Sequence, residues 1–217
     1  MRLIQTIRLF KGKFVSIDFS ERKYNAIPHR IAMKLRELGY SLDGFDHLYI
    51  NFTVDAVENG MEFSKYIDSF HPWFRIYNIQ VSEALFDTLE SPESYDAILS
   101  LIESALVRIS PKDEDLVHRA VAEALEQGEQ MLMLRKQKIT SIRRAAVYLR
   151  CLDDGSYLPL LQVYDMEDNL LFEADLPKTY DLLILGEIQV SAKRVTVKPR
   201  KNVVTEMRGM NPICFDY

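Results

Sequence analysis

The amino-acid sequence predicts an α+β fold, in which a mixed β/α N-terminal half is followed by a linking helix and a mostly antiparallel C-terminal β module. In the first half, segments that alternate apolar and polar residues are interleaved with helical patterns. After residue 136, strand patterns and turn sequences follow one another with no helical pattern between them. We therefore predict an acidic α+β module over residues 1–110, a linking helix over 111–136 and a mostly β module over 137–217.

The first half begins with a predicted hairpin. Two alternating runs, LIQTIRLF and FVSIDF, flank the tripeptide KGK, in which Gly12 suits the positive backbone angle of a tight turn. A first helix should follow, with Pro28 in its first turn and Gly39 as its C-terminal cap. Alternation then predicts a third strand over residues 48–54 and a fourth over 73–81.

Two helix starts of the same kind lie in the middle of the chain. In SPES, Ser91 can cap free amides and Pro92 can occupy the first helical position, where no donor is needed. Ser110 and Pro111 repeat the arrangement in SPKDE. Because a proline disfavours helical geometry in the residue before it, the two helices should be separate, and we place the module boundary near residue 110.

The C-terminal module is predicted from strands separated by turns. The turn sequences DDGS and MEDN separate an alternating strand that ends at Cys151 from YLPLLQVY and LLFEA, and LLILGEIQV and RVTVK complete the set. Cys151 shares a strand face with three apolar residues, which predicts a buried small side chain rather than a catalytic nucleophile.

Charge is unevenly distributed along the chain. The net charge is −5, but residues 43–103 contain twelve acids and two bases, a balance of −10. Residues 135–150 carry six bases and residues 193–201 carry five, with no acid in either segment. The overall negative charge argues against a general affinity for nucleic acid or anionic membranes. With no long apolar run, no signal-peptide pattern and two cysteines, we expect a cytoplasmic protein.

Catalytic and metal-binding motifs are missing from the sequence. The scattered glycines form neither a phosphate-binding loop nor a dinucleotide fingerprint, and there is no GxSxG or HExxH motif. Glu114 and His118 would share one helix face and could supply two metal ligands, although a surface pair is the simpler interpretation. We therefore predict no catalytic residue, no cofactor and no metal.

The basic C-terminal strands allow more than one interpretation. KQKITSIRR and KRVTVKPRK could present a phosphate-binding face. They contain few aromatic residues for base stacking, so the bases could equally keep exposed strands soluble or pair with the acidic first half. Nucleic acid is not the partner that we expect.

The stretch YIDSFHPWFRIYN, residues 66–78, combines five aromatic residues with a bend marked by proline. We predict that its strand is core and that the approach to the strand is surface, because aromatic side chains surrounded by charge are typical of protein-binding hot spots. The predicted partner-binding residues are four carboxylates and two aromatic anchors, namely Asp55, Glu58, Glu62, Asp68, Tyr66 and Trp73.

In general character, the acidic segment LYINFTVDAVENGMEFSKYIDSF resembles the immunity proteins of bacterial polymorphic-toxin and contact-dependent inhibition systems. The resemblance implies a cytoplasmic protein without catalytic residues that binds a cognate toxin domain, frequently a nuclease, whose basic surface complements the carboxylates. Two alternatives stay open: an enzyme with an active site dispersed along the chain, and a nucleic-acid-binding or regulatory protein that uses the basic C-terminal strands.

Overall fold

The computed structural model describes residues 2–217 and confirms the α+β class. The chain divides into two compact units, residues 1–128 and residues 129–217. This division lies eighteen residues after the boundary expected near residue 110. Of the linking helix predicted over 111–136, residues 114–127 are helical and pack within the first unit, whereas residue 133 already begins a strand of the second unit.

A five-stranded mixed sheet forms the centre of the first unit. Its strand order is β3-β2-β5-β7-β6; β2, β5 and β7 are parallel to one another, and the two edge strands are antiparallel to their neighbours. A separate two-stranded pair, β1 with β4, lies outside this sheet. The strands are β1 (Arg2–Leu3), β2 (Thr6–Lys11), β3 (Val15–Ser16), β4 (Ser41–Leu42), β5 (His47–Thr53), β6 (Met61–Phe63) and β7 (Phe74–Gln80).

One face of this sheet carries most of the buried core. Strand register aligns Ile7 of β2 with Leu48 of β5, and Ile50 of β5 with Tyr77 of β7. All four side chains are buried, as alternation in a half-buried sheet requires. The hairpin, third and fourth strands expected from the sequence are therefore present, although the second hairpin strand, β3, has only two residues.

The first helix, α1 (Arg22–Glu37), begins earlier than predicted. Pro28 is its seventh residue rather than a member of the first turn, so the helix lacks the hydrogen bond that this residue would donate to the Tyr24 carbonyl. The buried face, which includes Ile27, Ile31 and Leu35, continues through the proline and maintains the helix. At the C-terminal end the prediction is confirmed, because Gly39 has a φ of 89° and the amide that follows it donates to the Leu35 carbonyl at 2.9 Å.

The middle of the chain forms three further helices, α2 (Glu83–Asp87), α3 (Tyr95–Ile109) and α4 (Glu114–Gln127). Short 3-10 turns at residues 92–94 and 111–113 precede α3 and α4, at the two predicted Ser-Pro starts. Helix α4 packs against α1 and α3. Its buried side chains are Val117, Ala120, Val121 and Ala124. Glu123 forms an ion pair with the buried Lys34 at 2.9 Å. This packing makes α4 part of the first unit.

The second unit contains two antiparallel sheets. Strands β8 (Met133–Ile139), β9 (Arg144–Cys151), β10 (Tyr157–Tyr164) and β11 (Leu170–Asp175) form a meander in chain order. Strands β12 (Glu187–Val190), β13 (Arg194–Lys198) and β14 (Ile213–Asp216) form the other sheet, and α5 (Val203–Met207) precedes the last strand. The sequence predicted neither α5 nor β14. Strand β12 starts at residue 187 because the preceding LLIL segment turns, with the Leu185 amide donating to the Leu182 carbonyl.

Candidate protein-binding site

The segment that joins β6 to β7, residues 64–73, is called the aromatic loop here. It exposes four large apolar side chains, Tyr66, Ile67, Phe70 and Trp73. Phe70 is 85% exposed, more than any other large hydrophobic side chain among residues 2–217. Such a concentration of exposed apolar side chains on one loop is typical of a surface that another molecule covers.

Backbone hydrogen bonds hold both ends of the aromatic loop on the sheet. On the outgoing side, the Ser64 amide donates to the Ile76 carbonyl at 2.9 Å. On the returning side, the Trp73 carbonyl accepts from the amides of Asp46 and His47, each at 3.0 Å. The loop is therefore attached where the parallel strands β5 and β7 begin, which we call the amino edge of the sheet.

Asp68 organises the interior of the aromatic loop. One carboxylate oxygen accepts from the backbone amides of Phe70 and His71 at 2.9 and 3.1 Å, and the other lies 2.8 Å from His71 Nδ1. The hydrogen bond from His71 holds the pKa of Asp68 below its ordinary value. When an aspartate accepts hydrogen bonds from the amides of the next few residues, it fixes a turn. These bonds therefore set the conformation in which Phe70 is exposed.

A row of aromatic rings connects the loop to the sheet. The rings of His71 and Trp73 meet edge to face at 4.8 Å, and His71 stacks at 6.5 Å on Phe74. Phe74 in turn stacks at 4.7 Å on Tyr49 of β5. Within YIDSFHPWFRIYN, the strand after Trp73 is thus half-buried or core for most of its length, whereas the approach to it is surface.

The structure distributes the six predicted partner-binding residues over two edges of the sheet. Tyr66, Asp68 and Trp73 belong to the aromatic loop at the amino edge, and Asp68 is occupied there with the loop's own amides. Asp55 and Glu58 are exposed beyond the end of β5, at the opposite edge, and Glu62 is half-buried on the edge strand β6. With about 3.3 Å per residue, the seven residues of β5 separate the two groups by roughly 20 Å.

Sequence reasoning placed Phe70 among the aromatic residues of the bend without naming it as a partner-binding residue, and it did not assign Ile67 to the site. Both lie in the same short segment as Tyr66, and for Ile67 the indication in the sequence was the occurrence of several apolar residues where no periodic element can bury them. Their exposure follows from the turn that Asp68 builds, which requires the tertiary structure.

Other carboxylates also lie at the amino edge. Asp43 is exposed and Asp46 is half-buried, with its carboxylate 2.6 Å from His47 Nδ1. Both residues lie in the turn before β5, and the amides of Asp46 and His47 donate to the Trp73 carbonyl at the returning end of the aromatic loop. Negative charge therefore lies close to the aromatic loop, and Lys65 is the basic residue within the loop.

The Glu114–His118 pair is a surface arrangement that also includes Glu103. His118 Nδ1 lies 2.7 Å from Glu103 and Nε2 lies 3.3 Å from Glu114. Across residues 2–217, no group of three or more His, Cys, Asp or Glu side chains could hold a metal ion. Cys151 is buried in β9, as its strand position predicted.

The basic strands of the second unit pair with acids of the same unit. Arg144 contacts Asp168 at 2.9 Å, and Arg194 contacts Asp216 at 2.6 Å. Arg150 is likewise paired with Asp175. These arginines are thus committed to nearby carboxylates rather than forming an unopposed phosphate-binding face.

Comparison of the chain with protein-family models, curated proteins and solved structures finds no significant match. Among residues 2–217, no helix combines the length and the apolar character that crossing a bilayer requires. The resemblance to immunity proteins accordingly stays a prediction.

Proposed function

We propose that this chain is a protein-binding protein that inserts the aromatic loop into an apolar pocket of a partner whose rim is basic. The observation that carries the proposal is the display of Tyr66, Ile67, Phe70 and Trp73 on a loop fixed at both ends and braced by Asp68. The part of a large apolar side chain that stays in contact with water does not stabilise the fold, but it contributes to binding when a partner buries it.

Preorganisation supports this proposal. A mobile loop must lose conformational entropy when it binds, whereas a loop that already has its bound shape avoids most of that cost. Asp68 removes this freedom before binding by accepting from two backbone amides and from His71. The aromatic loop therefore has the rigidity of a binding surface rather than that of a linker.

The charge around the loop defines the partner's chemistry. Asp43, Glu62 and Asp68 accompany the loop, and Asp55 and Glu58 extend the negative charge to the far edge of the sheet. A partner with a basic surface would be attracted over this distance and oriented before contact. Nuclease toxins need such surfaces to hold phosphates, and we propose that the chain is an immunity protein of the bacterial cytoplasm that neutralises a cognate toxin of this kind.

The deciding experiment is protection from a toxin. The candidates are nuclease toxin domains, above all one encoded by the gene immediately upstream if that gene encodes one, expressed in a bacterial host with and without the chain. We expect the wild-type chain to restore growth, Phe70→Ala and Trp73→Ala to weaken protection, and Met207→Ala to retain it. Met207 is a matched control because it is an apolar side chain with 83% exposure in the other unit. Absence of protection or of binding by the wild-type chain would refute the immunity function.

A further inference from the structure

A cavity of about 300 Å³ lies at the amino edge of the first unit, between the sheet and the junction of α3 with α4. The turn before β5, the end of β6 and the start of β7 provide one side of it, and the residues from the end of α3 to the start of α4 provide the other. The lining residues include Asp43, Phe45, Phe63, Arg75 and Lys112.

Two cations line this cavity, and neither forms an ion pair. Within residues 2–217, Arg75 and Lys112 have no ion pair and no side-chain hydrogen bond, and Arg75 Nε is buried without a partner. Arg75 is one of only two bases in the acid-rich segment 43–103, where twelve carboxylates could have paired with it. Its guanidinium instead lies 5.7 Å from the centre of the Phe63 ring. A half-buried guanidinium without an acceptor is a costly arrangement that an anionic ligand would relieve.

We propose that this cavity binds a small carboxylate, with the carboxylate on Arg75 and Lys112 and the apolar body of the ligand against Phe45 and Phe63. Arginine presents planar paired donors that match a carboxylate, and lysine adds a second positive charge. The two phenyl rings meet edge to face at 5.7 Å and form the apolar wall.

Charge balance favours a carboxylate over a phosphate monoester. Among the lining residues, Arg75 and Lys112 carry two positive charges and the exposed Asp43 carries one negative charge, a balance of +1. A monoanionic carboxylate neutralises this balance. A phosphate monoester, with a charge of about −1.5 to −2 at neutral pH, would leave negative charge beside Asp43.

The test uses the complete chain and three probes at constant ionic strength: benzoate, its neutral analogue benzamide, and inorganic phosphate. Amide chemical shifts in NMR titrations should change saturably with benzoate at residues 41–45, 63, 109, 110 and 112, and much less with the other two probes. Arg75→Gln should weaken benzoate binding by roughly tenfold or more, since it removes a charge-assisted pair of hydrogen bonds. Lys112→Gln should weaken it severalfold.

Lys65→Gln is the matched control, because Lys65 is the other base of the acidic segment and does not line the cavity. Lys112 is exposed, so its variant tests the site even if the Arg75 variant fails to fold. Absence of a saturable benzoate response would show a cavity that holds water only, and equal responses to benzoate and benzamide would show apolar binding; either result overturns the proposal. Tighter binding of phosphate would overturn the assignment to carboxylates. Because the chain alone is titrated, these outcomes do not depend on the proposed partner.

Discussion

His118 is one residue at which pH should alter the stability of the fold. The hydrogen bond to Glu103, together with that to Glu114, raises the pKa of His118 above 6.5. A group whose pKa is raised by folding stabilises the fold fully below its unfolded pKa, and this contribution is lost as pH rises through the folded value. The Tm advantage of the wild type over His118→Gln should therefore be largest near pH 6 and should shrink as the pH increases above about 6.5.

Thermal melts of both proteins, followed by circular dichroism over this pH range, measure the effect. Since the side chain is exposed, added salt should reduce the difference. Identical pH profiles for the two proteins would show that the His118 contacts do not stabilise the packing of α3 against α4.

Gly186 is a residue whose identity is imposed by the backbone of a neighbouring segment. A Cβ atom at this position would lie 2.2 Å from the Pro199 carbonyl oxygen and 2.6 Å from the Arg200 amide nitrogen. Because the clashing atoms are backbone, they can move aside only by displacing the segment after β13. We expect Gly186→Ala to reduce the free energy of unfolding by roughly 1–3 kcal/mol.

Denaturant unfolding measures this reduction, and Ala192→Ser is the control. Ala192 is exposed in the turn between β12 and β13, so this change adds one heavy atom without a clash and should leave stability nearly unchanged. Equal stabilities of the wild type and Gly186→Ala would show that the segments can separate without cost.

At the scale of elements, α4 decides how much of the chain is needed to fold the first unit. Its four buried side chains and the Lys34–Glu123 ion pair are all contacts within residues 1–128. A fragment ending at residue 110 would expose the face of α1 that α4 covers and would leave Lys34 without Glu123. We expect the fragment 1–128 to melt cooperatively and the fragment 1–110 to melt at a much lower temperature or not cooperatively.

Circular dichroism and calorimetry distinguish these outcomes, and the fragment 1–120 provides an intermediate control that retains only half of α4. Equal stability of the 1–110 and 1–128 fragments would restore the boundary near residue 110 and would make α4 an independent linker.

Local patterns predicted most elements because their causes are local. Alternation indicated β5, β7 and β9, and the Ser-Pro starts indicated α3 and α4. The start of α1 was misplaced because proline is commonest in a first helical turn, whereas here a continuous buried face outweighs the one hydrogen bond that Pro28 removes. The sequence could not show which unit contains α4, because the apolar face of this helix could pack on either half of the chain.

The same reasoning explains what the sequence indicated about the site. An aromatic, acidic segment could be recognised from composition, so Tyr66 and Trp73 were named. The strand register that separates Asp55 and Glu58 from the aromatic loop, and the hydrogen bonds that occupy Asp68, are tertiary facts. The cavity at Arg75 also depends on the tertiary structure, because it brings together lining residues that lie more than thirty positions apart in the sequence.

At the scale of the whole molecule, the two units differ in charge. Residues 1–128 contain 14 bases and 20 acids, a balance of −6, whereas residues 129–217 contain 13 bases and 12 acids, a balance of +1. In the second unit, Arg144, Arg150 and Arg194 form ion pairs with Asp168, Asp175 and Asp216. The first unit is therefore the one that would attract a basic partner over a distance.

Two kinds of substitution should distinguish the long-range attraction of a basic partner from direct contact with that partner. Asp55 and Glu58 are exposed, and neither carboxylate has an ion pair within residues 2–217, so reversing both to lysine should change the Tm little. Association with the cognate toxin should slow several-fold at low salt, by an amount that decreases as salt screens the field. Phe70→Ala should instead accelerate dissociation and cost about 2 kcal/mol or more of binding free energy, because it removes an anchor.

Surface plasmon resonance at several salt concentrations gives both rate constants for each variant. Lys65→Glu is the matched control for charge, because it adds negative charge within the aromatic loop and should accelerate association rather than slow it. If the double reversal unfolds the protein, Asp55 and Glu58 are structural rather than free to attract a partner. If Phe70→Ala leaves dissociation unchanged while the reversal slows association, the partner is attracted by the acidic unit but docks away from the aromatic loop.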